Sequence, residues 1–117
     1  MAKYAFLGGY TEKSWAGMVQ NPEGRGAAVQ RLAEAAGGKL ETFYWAFGED
    51  DFLAIFDVPD DDAAAAISIA VVSTGAIRNA RTIKLMSTDD QASILTKAKG
   101  LAAAYIQPGA RTAAGVA

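Results

Sequence analysis

A β-α-β-β-α-β order of elements, closed by one further helix, predicts an α+β domain of ferredoxin-like type with a four-stranded antiparallel sheet. Three observations carry that order. Runs of apolar and aromatic residues at strand-like spacing mark four strands. Apolar stripes at helical spacing, each with a start or stop signal, fall between the first and second strands and between the third and fourth. The short acidic stretch Gly48-Glu49-Asp50 joins the middle two strands as a hairpin.

Tyr4 to Tyr10 reads as the first strand, with Tyr4, Phe6 and Gly8 alternating against Ala5, Leu7 and Gly9. Thr11 is placed to cap a helix carrying Trp15, Met18 and Val19. Asn21-Pro22 interrupts it, and Asn at a cap with Pro at the first helical position predicts a restart there. Ala28, Val29, Leu32, Ala33 and Ala36 form the apolar face of the second part, which Gly37-Gly38 ends.

Lys39 to Phe47 reads as the second strand and Asp51 to Val58 as the third, stopped by Pro59. Asp60 caps a helix from Asp61 to about Thr74, with Asp61 and Asp62 where the helix dipole favours carboxylates, and Gly75 terminates it. Ile77 to Met86 is the fourth strand, with Ile77, Ile83 and Leu85 against Arg78, Thr82 and Lys84. Thr88, followed three residues later by Gln91, predicts a capping box for a last helix that runs to Pro108-Gly109. The domain is thus expected over residues 1–105, with 106–117 as a C-terminal tail.

Two helices cover only one face of such a sheet. The strands carry large apolar residues on both sides, since Tyr44-Trp45 and Ile55-Phe56 are adjacent pairs. A sheet apolar on both faces must be covered on both. A homodimer with sheets packed face to face is therefore expected, and Phe56 contributes to that interface if it lies on the open side.

Composition narrows the chemistry. The 117 residues suit one domain, and 11 basic against 13 acidic residues offer no basic surface for nucleic acid. Met1-Ala2-Lys3-Tyr4 enters a strand directly, so no signal peptide is expected. The longest apolar run, Ala63 to Val72, is about half a bilayer crossing and is broken by Ser68. A soluble, cytoplasmic protein without a membrane partner is expected. The chain has neither cysteine nor histidine. That removes disulfides, thiolate zinc, iron–sulfur clusters, cysteine nucleophiles, the Ser-His-Asp triad and histidine-held metals or haem. Any catalysis must rest on Asp, Glu, Lys, Arg, Tyr, Ser, Thr, backbone groups or a cofactor that they hold.

The first strand ends in Gly9-Tyr10-Thr11, and Asn21-Pro22-Glu23 breaks the first crossover. Gly37-Gly38-Lys39-Leu40, Phe43-Tyr44, Gly48-Glu49-Asp50-Asp51-Phe52, Pro59-Asp60-Asp61 and Arg81-Thr82 follow in order. On these residues the chain, from residue 3 to about 95, resembles the GYD domain family of small bacterial proteins. The resemblance implies the dimeric α/β-barrel arrangement of ferredoxin-like domains. The family's Gly-Tyr-Asp-like stretch falls in the hairpin, and Asp50 stands at its tyrosine position. Function in the family is largely uncharacterised. The wider superfamily holds cofactor-independent monooxygenases, isomerases, dehydratases and haem enzymes, so fold alone selects no reaction.

Candidate residues follow. Tyr10 and Trp15 flank the first strand–helix connection and, with Tyr44, are the expected lining of a ligand pocket. They belong to an aromatic set, with Tyr4, Phe6, Phe43, Trp45 and Phe47, that ordinary core and interface packing also explains. Glu49, Asp50 and Asp51 read first as a solvated turn, with a raised-pKa acid or a hard-metal site as the alternative. Asp60-Asp61-Asp62 and Asp89-Asp90 are explained by helix capping. Strict alternation puts Arg78 and Arg81 on opposite faces of the fourth strand. An ion pair with Asp51 or Asp57 is the first expectation there, and a carboxylate- or enolate-binding arginine the second. Neither Gly8-Gly9 nor Gly24-Arg25-Gly26 has phosphate-loop spacing.

The leading expectation is a dimeric protein binding a small apolar or aromatic molecule, with no cofactor and no metal. The second is an enzyme of the superfamily's cofactor-independent kind, a monooxygenase or isomerase acting on an aromatic or polyketide-like substrate. Asp51 would be its base and Arg81 its anion stabiliser. The third is a structural or regulatory interaction module.

Overall fold

β1 (Ala2–Tyr10) runs through the interior of the sheet, paired antiparallel with β3 (Phe52–Val58) on one side and β4 (Ile77–Leu85) on the other. β2 (Lys39–Trp45) pairs antiparallel with β3 and completes the order β2-β3-β1-β4. This is the expected α+β, ferredoxin-like arrangement. The structure is a computed structural model that describes residues 1–110. The chain divides into two compact units, Met1–Leu85 and Met86–Ala117.

The register fixes which side chains share a face. Tyr4 pairs with Phe56, Phe6 with Ala54 and Gly8 with Phe52. Tyr4, Phe6, Phe52, Ala54, Phe56 and Val58 are all buried. Helices α2 (Gly26–Ala35) and α3 (Asp61–Val72) cover them with Val29, Leu32, Ala33, Ala64 and Ile67. Phe56, at 3% exposure, lies in this core and not on the open face. Its neighbour Ile55 takes the other side, with Leu53 and Leu7.

Thr11 caps α1 (Glu12–Gln20) as expected, its Oγ1 accepting from the Ser14 N–H at 3.3 Å. The restart comes later than Pro22. The Asn21 N–H is taken by the Gly17 carbonyl at 2.9 Å, so Asn21 closes α1 instead of opening the next helix. The chain then bridges to Arg25 at the head of α2. Gly37-Gly38 ends α2 in a Schellman motif. Gly37 adopts φ +84, its N–H bonds the Glu34 carbonyl, and the Gly38 N–H bonds the Ala33 carbonyl, both at 3.0 Å.

The hairpin is wider than the tight turn expected. The Ala46 N–H bonds the Asp51 carbonyl at 2.8 Å as the last rung, and Phe47 then swings out to 99% exposure. The Asp51 N–H turns instead to the Gly8 carbonyl at 2.8 Å. Asp60 caps α3, accepting from the Ala63 N–H at 2.8 Å.

β4 departs from strict alternation. Leu7 pairs with Arg81 and Gly9 with Arg78, so two steps along β1 face three along β4. Asn79, at φ 51, lies within this bulge. The extra residue restores parity between positions 78 and 81. Arg78 and Arg81 therefore share the face opposite the helices, and the Arg78 guanidinium fills the space beside Gly9. The opposite-face expectation is corrected by that single inserted residue.

In the second unit Ser87, not Thr88, makes the cap: its Oγ accepts from the Asp89 N–H at 3.1 Å. Thr88–Asp90 themselves form a 3-10 turn, which moves the start of the helical path one residue back and leaves no capping box. α4 (Gln91–Ala104) follows and buries no side chain. It stops at Ala104, short of Pro108-Gly109, which form a separate turn closed by Ala110 N–H to the Gln107 carbonyl at 3.0 Å. Residues 111–117 of the expected tail lie outside the described residues. No helix among the described residues is long and apolar enough to cross a membrane.

Candidate functional site

The helix face of the sheet is not completely filled. Between it and α2 lies a cavity of about 100 Å³, walled by Phe6, Phe43, Phe52, Phe56, Val29 and Leu32. Two residues bring polar groups to this lining, Tyr10 and Arg25. Both also line an adjoining groove of about 330 Å³, with Ser14, Met18, Asn21 and Glu23. An apolar chamber thus meets a polar mouth at Tyr10 and Arg25.

Tyr10 is placed by three contacts. Its ring stands edge-on to Trp15, with centroids 5.2 Å apart, and tilts on Phe52 at 5.3 Å. Its backbone N–H donates to Asp51 Oδ2 at 2.9 Å. Trp15 continues the aromatic row to Trp45 at 6.0 Å. Burial holds the Tyr10 phenol above its ordinary range, opposed by the Trp45 indole and the charge of Arg25. The Arg25 side chain is half-buried and forms no ion pair among the described residues.

The three aromatic candidates separate. Tyr10 lines the cavity, and Trp15 packs behind Tyr10 without lining it. Tyr44 pairs with Leu53 on the opposite face of the sheet and is 65% exposed. Asp51 and Arg81 are not each other's partners. Asp51 Oδ2 takes Arg78 Nη2 at 3.3 Å, while Arg81 pairs with Asp50. Lys3 bridges Glu41 at 2.9 Å and Asp57 at 3.4 Å on the same face. Among the described residues no three carboxylates converge to hold a metal ion.

A second polar cluster fastens α3 to the sheet. The Tyr4 hydroxyl donates to Asp61 Oδ1, which also accepts Lys84 Nζ at 3.1 Å. That hydrogen bond, aided by burial, pushes the Tyr4 phenol up to about 12. The same bond, with help from Lys84, lowers the Asp61 carboxyl.

The GYD domain family model matches residues 4–95. The chain belongs to the GYD domain family. No curated protein matches it. Every cavity-lining residue of this GYD domain falls inside the matched span.

Arg25 is the site residue that sequence reasoning missed. Gly24-Arg25-Gly26 lacks the spacing of a phosphate loop. A different signal was present. Position 25 precedes Ala28, Val29 and Leu32 by three, four and seven residues, so it continues the apolar stripe of α2. An arginine on the buried stripe of a helix marks a place where charge meets the core.

Proposed function

We propose that this GYD domain binds a small apolar or aromatic molecule in the chamber beneath α2, and that it does so as a homodimer. The chamber is the observation that carries the binding reading. Protein cores pack with few voids larger than a water molecule. A space of about 100 Å³ walled by four phenylalanines approaches the size that accepts one aromatic ring. Its polar groups are confined to the mouth, as in small-molecule sites generally.

The dimer reading rests on the other face. Leu7, Leu53 and Ile55 are half-buried there, Ile83 is 45% exposed, and α1, α2 and α3 all pack on the opposite side. Apolar surface of this extent is a usual mark of an interface. Asp51 supports binding more than catalysis, since its carboxylate is committed to the Tyr10 N–H and Arg78.

Native mass spectrometry of gently purified protein tests the reading. A dimer releasing a discrete small molecule on denaturation is expected. Ala28→Phe, which fills the chamber from α2, should abolish that extra mass. A ligand-free protein that also gives no heat with either benzyl alcohol or benzoate in calorimetry would refute it.

A further inference from the structure

The chamber has one charged group on its wall, Arg25, and among the described residues that group has no ion-pair partner. Burying part of a guanidinium is unfavourable unless it is matched by an acceptor, so half-buried arginines usually face a carboxylate or carbonyl. Arg78 and Arg81, though more exposed, are matched by Asp51 and Asp50. Arg25 is not, although it lies at the junction of chamber and groove. Asp51, the carboxylate whose charge reaches the Tyr10 phenol, is already held by Arg78 and the Tyr10 N–H. Glu23 lines the outer groove but is exposed and makes no ion pair with Arg25.

The position also suits two-part recognition. A ring or short chain held by Phe6, Phe43, Phe52 and Phe56 would point its outer end at Tyr10 and Arg25. The fork of guanidinium donors fits a planar carboxylate through two parallel bonds, and the low-dielectric wall beneath strengthens each.

Building on the binding reading above, we infer that the ligand class is a small amphipathic organic anion, an aromatic or short aliphatic carboxylate, with Arg25 as its charge-recognising residue. The apolar body occupies the chamber and the carboxylate sits at the mouth. Arg25 then sets specificity and the aromatic wall sets affinity.

Calorimetric titration of the full chain with benzoate and with benzyl alcohol tests this, because the two share a ring and differ in charge. Benzoate should bind about ten- to a hundredfold more tightly, the range expected of hydrogen bonds to a charged group. In Arg25→Gln the ratio of the two affinities should fall to near one, and Arg25→Lys should recover part of it. Circular dichroism confirms that both variants fold. Equal affinities in the wild-type protein, or a preference that survives Arg25→Gln, would overturn the anion inference and leave the binding reading standing. Binding of neither compound would overturn both.

Discussion

The Asp51 carboxylate accepts the backbone N–H of Tyr10 at 2.9 Å, tying the β2–β3 loop to the end of β1 where the chamber opens. The same oxygen receives Arg78, so one side chain holds the loop, the central strand and the bulged edge strand together. Asp51→Ala should lower stability by about 1–3 kcal/mol, because it strands a part-buried N–H and removes a charge-assisted acceptor. Arg78→Ala, at a side chain nearly half exposed, should cost less than about 1 kcal/mol. Urea denaturation of both variants checks the order, and a larger loss for Arg78→Ala would contradict the account.

Phe56 and Ile83 lie on opposite faces of the sheet and should respond differently. Phe56→Ala leaves a cavity among Tyr4, Ala54 and Ile67 and should cost about 3–5 kcal/mol. Ile83→Asp places a charge on the open face and should leave the fold intact while shifting the proposed dimer to monomer. Sedimentation velocity beside thermal melting separates the two effects. An Ile83→Asp protein with unchanged sedimentation would remove the open face from the interface.

Tyr4 and Asp61 set opposite ends of a pH window. The Tyr4 phenol is raised in the folded state from 10.0 to about 12, chiefly by its hydrogen bond to Asp61. Between those values the unfolded chain loses a proton that the folded chain keeps, so stability falls as pH rises through the interval. Asp61 is lowered from 3.8 by the same bond, so its contribution is present above that value and lost as pH falls through the folded pKa. Tyr4→Phe should flatten both edges relative to wild type. Urea midpoints across pH, with near-ultraviolet tyrosinate absorbance as a second readout, test it. Identical pH profiles for the two proteins would contradict the assignment.

Gly38 sits against the β3 backbone, where an added Cβ would collide with the Asp57 carbonyl and crowd the Val58 Cα at 2.9 Å. Gly38→Ala should therefore destabilise by about 1–3 kcal/mol through forced displacement of that strand. Gly17→Ala, on an α1 surface with open space around the Cβ, should instead be neutral or slightly stabilising. Thermal melts of the pair suffice, and equal effects would refute the close-approach argument.

Local chemistry made most of the fold legible. Thr11, Asp60 and Gly37-Gly38 cap or end their helices through bonds that span only a few residues, so their meaning survives without tertiary information. Tyr10 ends a strand just before a helix, and in the structure it lines the cavity. Boundaries that depended on partners were less accessible. β2 ends two residues earlier than expected, where the Asp51 N–H turns to the Gly8 carbonyl across the sheet.

What the sequence by itself determined was the element order, the family and the presence of apolar residues on both sides of each strand. Alternation says that Ile55 and Phe56 point opposite ways, but which of them meets the helices depends on how the crossovers pack. Only the tertiary structure decided that Phe56 is core and that Tyr44 lies away from the chamber. It alone revealed the bulge at Asn79, because one inserted residue reverses strand parity without any local signal. It also put Arg25 beside Tyr10, residues from separate elements whose charge and phenol meet only when α2 closes over the sheet.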